Sequence, residues 1–237
     1  MQTVTLSFFR FRSVTARVWA FAMMGGARLA LPRIPGIEFW KLCGSGTGDG
    51  FTPVPNTAVY AILAAWPDLG TARTRTGHHR LYRWYQRWSS EHWTVFLSAI
   101  SSRGAWAGTE PFEIHKIDQS AGPIAILTRA TVKPSIVVQF WNRVPGISAV
   151  ISADPNVLFK IGIGEVPLLH QVTFSIWPDV TTMAAFARDP VGPHARAITA
   201  VRNGQWFKEE LYARFAILGD SGSWGGGSPL APKEPQR

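Results

Sequence analysis

Three short runs of this sequence occur twice, in the same order. Trp-Pro-Asp stands at 66–68 and again at 177–179, and GAWAG at 104–108 is echoed by GSWGG at 222–226. Between them, Glu91-x-Trp93-x-x-Phe96 matches Glu210-x-Tyr212-x-x-Phe215. The offsets drift from 111 to 119 residues, which marks two similar halves with insertions. A chain of this kind is built from one structural unit used twice.

Each half carries the same coarse elements. In the first, residues 3–9 alternate as a strand, and Ser13 caps a helix running to about residue 24. IEFWKLC and TAVYAILAAW read as strands around a Gly/Pro loop, a helix covers about 69–89, and HWTVFLSAI closes the half. In the second, PIAILTRA is a strand and SIVVQFWNRV a helix after Pro134. NVLFKIG and HQVTFSIW are strands, 180–203 is helical, and ELYARFAIL ends the unit. Both halves read βαββαβ, a ferredoxin-like unit whose sheet leaves one apolar face bare. The expected fold is therefore α+β: two fused ferredoxin-like repeats covering each other's faces in a pseudo-twofold α/β barrel of the dimeric type. The boundaries expected are 1–108 and 123–218 for the repeats, 109–122 for a linker and 219–237 for a loose tail.

The chain of 237 residues can bury a sizeable core, and its 11 tryptophans provide broad apolar surface. A net charge of +9 favours acidic partners, whether anionic lipid, acidic protein or nucleic acid. The single cysteine excludes an internal disulfide and a CxxC metal site. No run reaches the roughly 18 apolar residues of a membrane span. VWAFAMMGGARLAL is interrupted by Gly25, Gly26 and Arg28 and follows a strand, so it reads as a helix and not a signal segment. A cytoplasmic location is expected.

The repeat sets Gly77-His78-His79 opposite Gly192-Pro193-His194. From His194, helical spacing reaches Ala197, Ile198 and Val201, an apolar stripe beside which a planar macrocycle could lie. From His79 it reaches Tyr82, Arg83, Gln86 and Arg87, a wet face. His194 is thus either a satisfied core histidine or an axial ligand for haem iron. The 69–89 helix carries Arg73, Arg80, Arg83 and Arg87 on one stripe and Leu81, Trp84, Tyr85 and Trp88 on another. That pattern suits a membrane interface or an acidic partner, and nucleic acid is the weaker rival. Packed aromatics with solvated arginines would look the same. CGSGTGDG at 43–50 lacks the spacing and following helix of a phosphate cradle and reads as a loop at a pocket mouth. His92, His115 and His170 form no zinc pattern, and no G-x-S-x-G elbow occurs.

VTLSFFRF, FWKLCGSGTGDGFTPVPNTAVYAILAAWPD, EHWTVFLS, WFKEELYARF and GSWGG together resemble the spheroidene monooxygenases of carotenoid biosynthesis, from about residue 2 to 226. The resemblance implies O2-dependent insertion of a keto group at C-2 of an acyclic carotenoid, by two successive hydroxylations. It implies a haem cofactor and electrons from reduced ferredoxin, an acidic partner for a basic chain. A carotenoid substrate implies peripheral association with the inner or photosynthetic membrane, and no nucleic-acid partner. With haem expected, His194 is the inferred axial ligand and Cys43 the alternative. Ala197 and Ile198 would line the macrocycle, with Arg129, Arg214 and Lys160 as cations for its propionates. A cofactor-independent oxygenase and a non-enzymatic haem or lipid binder are the competing readings.

Overall fold

Strands dominate because β-branched and aromatic residues recur on both faces of the alternating stretches. The computed structural model describes residues 1–118, 122–142, 156–188 and 206–231. In chain order the strands are β1 (Thr3–Arg10), β2 (Phe39–Gly46), β3 (Pro55–Trp66), β4 (Glu91–Gly104), β5 (Ile124–Val132), β6 (Phe159–Gly164), β7 (His170–Trp177) and β8 (Phe207–Gly222). The helices are α1 (Val14–Ala30), α2 (Leu69–His78), α3 (Arg80–Trp88), α4 (described over 137–142) and α5 (Val180–Arg188). All eight strands close into one antiparallel barrel in the order β1-β3-β2-β6-β7-β5-β8-β4. Closure leaves no edge strand exposed.

Alternation fixes what faces inward. Leu6 and Phe8, Leu63 and Ala65, Val95 and Leu97, Leu127, Ile161, Phe174 and Phe215 belong to the interior cluster. The outer face of β1–β4 forms a second cluster, in which Phe9, Tyr60, Ile62 and Phe96 pack against Ala16, Ala20 and Ala27 of α1 and Leu81, Tyr82 and Tyr85 of α3. This is why β1 is buried along both faces. The expected single helix over 69–89 is two helices hinged at His79. Its backbone is extended there, its N–H closes α2 on the Arg75 carbonyl, and its Nδ1 accepts the Leu81 N–H at 3.3 Å. The hinge turns Tyr82 inward, so the face expected to be wet is in part core.

The sequence echoes are structural junctions. Trp66 ends β3 and Asp68 caps α2, accepting the Thr71 N–H at 2.8 Å; Trp177 ends β7 and Asp179 accepts the Thr182 N–H at 2.7 Å. Gly104 and Gly222 lie at opposite ends of the β4–β8 ladder, at φ +97 and +85. A Cβ there would sit 2.1 Å from the Glu210 carbonyl oxygen and 2.3 Å from that of His92, so glycine is required at both. The loops that follow place Trp106 in the interior cluster and Trp224 against it. Residues from 219 onward, expected as a loose tail, complete β8 and pack Trp224 and Leu230 on the barrel as far as Ala231 is described. The Gly-rich run after Cys43 seals the β2–β6 seam: Ser45 Oγ donates to the Gly162 carbonyl at 2.8 Å, and the Gly162 N–H donates to the Asp49 carbonyl at 2.7 Å.

Each tryptophan loop is clamped by the other half. Glu91 accepts Arg10 at 2.7 Å and the Gly226 N–H at 2.9 Å, while Arg10 lies over Trp224. At the opposite place, Glu209 pairs with Arg129 and accepts the Gly108 and Ala107 N–H groups at 2.7 and 3.0 Å, while Arg129 lies over Trp106. The two clamps differ in burial: the Arg129 side chain is 2% exposed and that of Arg10 is 32%. An uncompensated buried guanidinium is costly, whereas a partly solvated one is not. Replacing Glu209 by Gln should therefore destabilise the chain by about 3 kcal/mol or more in denaturant unfolding. Replacing Glu91 by Gln should cost less than about 1 kcal/mol.

Candidate site on the outer face of the second half

The two outer faces of the barrel are furnished differently. On the first half, Phe9, Tyr60, Ile62 and Phe96 fill the sheet beneath the helices. On the second half the middle outward positions of β5, β7 and β8 are short or polar apart from Ile126, which packs with the α5 cluster. Register sets Ser175, Ile126 and Arg214 in one row and Thr173, Thr128 and Tyr212 in the next. Lys160 and Gly162 of β6 extend these rows at the far side. Thr128, Ala130 and Thr173 are half-buried, and Tyr212 and Arg214 are exposed.

Aromatic clusters flank this floor at both ends. At one end Met183, Val180 and Phe186 of α5 pack with Ile124, Val157 and Trp177, the Phe186 and Trp177 rings standing 4.9 Å apart. At the other, Phe140 and Trp141 of α4 join Val132 and Trp206, and Trp141 Nε1 donates to the Leu168 carbonyl at 3.0 Å. Among the described residues, no large side chain bridges the two clusters across the floor. Such a surface can receive a flat apolar group, with cations at opposite sides in Lys160 and Arg214. Lys160 Nζ also lies 3.6 Å from the exposed Asp49 carboxylate.

The expected site residues divide. His194, Ala197 and Ile198 lie outside the described residues. Arg214 is on this outer face. Arg129 is not: it shares the inward parity of Ala125 and Leu127, and its charge is committed to Glu209. Cys43 also points inward, fully buried in the interior cluster, where burial and then Glu165 push its thiol far above the ordinary value. A thiolate ligand there is disfavoured on both counts. Arg73, Arg80, Arg83, Arg87, Trp84 and Trp88 lie elsewhere, on the exposed side of α2 and α3.

One inward cluster was not anticipated from sequence. Glu165 accepts Trp106 Nε1 at 2.7 Å and pairs with Lys41 at 3.2 Å, next to the Arg129–Glu209 clamp. His170 Nδ1 stands 3.8 Å from Glu165 but makes no hydrogen bond. Desolvation lowers its pKa, outweighing Glu165, so the ring is neutral near pH 7 and the approach is not an ion pair. Partial burial pulls the Glu209 carboxyl up, but the Gly108 and Ala107 amides and Arg129 hold it below its ordinary value. This cluster braces the barrel mouth. Among the described residues, no group of His, Cys, Asp and Glu is arranged to hold a metal ion.

No protein-family model matches the chain. It is 51% identical over 230 residues to the spheroidene monooxygenase of Cereibacter sphaeroides, covering 97% of this chain and 71% of that protein. It is 46% identical to the spheroidene monooxygenase of Rhodobacter capsulatus, covering 100% and 99% respectively. Among solved structures, an aldoxime dehydratase superposes with a TM-score of 0.60 over 91% of this chain and 82% of that one. At 11% identity, that likeness is one of fold alone.

The pKa of His170 is depressed by desolvation, and burial likewise lowers His92 and, with Arg75, His79. Below their ordinary value of 6.5 the unfolded chain therefore binds protons that the folded chain resists. Stability should fall as pH drops through that value, and further as Glu209 protonates. The thermal midpoint is expected to be lower at pH 5 than at pH 7, with a smaller decrease in His170→Gln.

Proposed function

Because the chain belongs to the spheroidene monooxygenase family, we propose that it inserts the C-2 keto group of an acyclic carotenoid such as spheroidene, using O2 and a haem held on the outer face of its second half. The belonging rests on identity of 51% and 46% to relatives of that name. The observation that carries the haem reading is the contrast between the two outer faces. Where one half has Phe9, Tyr60 and Phe96 locked under helices, the other presents Thr128, Ala130 and Thr173 between two aromatic clusters. Short side chains allow a macrocycle to approach the sheet, and flanking aromatics exclude water from its edges.

Haem, when bound, supplies the iron at which O2 is activated. In this reading His194 would hold the iron, Ala197 and Ile198 would line the macrocycle, and Arg214 would receive the propionates, which leave one edge of the ring together. The chain's own task is to place one terminal carbon of a long polyene beside that group and keep the surroundings dry. Each of two hydroxylations takes one O2, two electrons and two protons, puts one oxygen on C-2 and releases the other as water. The resulting geminal diol loses water to give the ketone. Reduced ferredoxin supplies the electrons, its acidic surface complementing the basic chain. The protein works in the cytoplasm, bound peripherally to the inner or photosynthetic membrane where the substrate dissolves.

We read the barrel as two fused ferredoxin-like βαββαβ repeats. Supporting this are the strand order, in which β4-β1-β3-β2 and its counterpart β8-β5-β7-β6 run in opposite senses around the ring and meet like end to like end, and the paired Trp-Pro-Asp caps and Arg–Glu–Trp clamps. A single experiment tests the haem reading. Purified protein should show a Soret band that shifts or is lost in His194→Ala, and Arg214→Ala should retain several-fold less haem after gel filtration. Haem-free protein that still ketolates spheroidene would favour a cofactor-independent oxygenase. Haem retention without turnover would favour a binding protein.

A further inference from the structure

Helix α1 is apolar on the side where helices of this kind are usually polar. Its buried residues are Ala16, Ala20 and Ala27. At 100° per residue, the opposite side of the helix carries Val14, Val18, Phe21, Gly25 and Leu29. Those four large side chains are 76, 64, 71 and 69% exposed. Single exposed apolar residues are ordinary, but a row about 22 Å long, at ~1.5 Å per residue, is not.

The row continues onto α3. Trp19 of α1 stacks on Trp88 at 5.4 Å with the rings 7° from parallel, and Trp88 and Trp84 are 42 and 41% exposed. Around this apolar surface the charge has one sign. Segments 11–37 and 69–90 hold nine arginines and no Asp or Glu, so they account for the whole net charge of +9. Arg12, Arg17, Arg28 and Arg33 are exposed around α1, and Arg80, Arg83 and Arg87 along α3.

From this arrangement we infer that α1 and α3 dock the protein on an anionic lipid surface, with Val14, Val18, Phe21 and Leu29 entering the acyl boundary and the arginines on headgroup phosphates. An acidic protein would be met by the arginines alone and leaves the apolar row unexplained. A bilayer uses both, with tryptophans at headgroup depth. Among the described residues, no helix is long and apolar enough to cross a membrane, so this contact is interfacial. The inference deepens the carotenoid reading by naming the element that meets the membrane, and it stands apart from the ligand face.

Flotation of the full chain with vesicles tests it. Protein should co-float with phosphatidylcholine vesicles containing one-third phosphatidylglycerol and at least tenfold less with phosphatidylcholine alone. Val18→Glu/Phe21→Glu should reduce flotation about tenfold while leaving the circular dichroism spectrum intact. The triple change of Arg80, Arg83 and Arg87 to Ser should abolish the preference for phosphatidylglycerol. Undiminished flotation of the Val18→Glu/Phe21→Glu variant overturns the inference. So does a wild-type chain that stays with neither vesicle but forms a dimer broken by that variant, or binds only an acidic protein. Turnover of detergent-dispersed spheroidene by the same variant should match wild type. Absence of turnover in both, with flotation preserved, would count against the catalytic reading and leave the docking surface standing.

Discussion

Each end of this barrel is shut by a carboxylate from one half gripping the tryptophan loop of the other. Glu91 holds Gly226 beside Trp224, and Glu209 holds Ala107 and Gly108 beside Trp106. Because the grip is reciprocal, neither half closes its own end. The arginine beside each carboxylate has two roles, neutralising it and covering the indole face. Sealing a ring of eight strands then forces every side chain into one of two environments. The interior is filled once, by residues from both halves. All that can differ between the halves is pushed to the outer surface.

That constraint explains which parts of the fold were legible in sequence. Trp-Pro-Asp marks a strand end and a helix cap because the proline stops the strand and the aspartate satisfies the first free N–H groups. Gly-x-Trp marks each end of the β4–β8 ladder because a Cβ has no room there. Such signals are local, and both copies could be read. The clamps could not, since Arg129 and Glu209 are 80 residues apart and meet only through strand register. The resemblance makes Arg129 a candidate for a propionate, whereas PIAILTRA is apolar at both parities and hides the alternation that turns Arg129 inward. The hinge at His79 was equally hidden: helical periodicity continues across it, and only the sheet beneath explains why Tyr82 turns in.

The outer faces of the two halves of the barrel are furnished differently. Bulky aromatics on β1, β3 and β4 hold α1, α2 and α3 down and make that half rigidly packed on both sides of the sheet. Substituting threonine, alanine and serine at the outward rows of β5 and β7 gives up that packing. A protein loses stability by such an exchange unless something else covers the surface, which is the physical reason for treating the second half as the ligand-bearing one. The sequence singles out His194 by the apolar spacing that follows it, and that residue lies outside the described ones. The short-chained floor is visible only when strands are compared in the closed barrel.

The exposed row on α1 follows from the same closure. A helix rich in apolar residues on all sides is ordinarily buried, yet VWAFAMMGGARLAL keeps one apolar side in solvent. Once β1–β4 have completed both their inner core and the layer beneath the helices, no protein surface remains for Val14, Val18, Phe21 and Leu29 to meet among the described residues. The alanines on the inner side of α1 let it lie close to the sheet, and this directs the larger side chains outward. The strands under α1 and α3 and those of the second half's outer face occupy opposite arcs of the ring. The proposed attachment surface and the proposed ligand face therefore lie on different halves, so substitutions on one leave the packing of the other untouched.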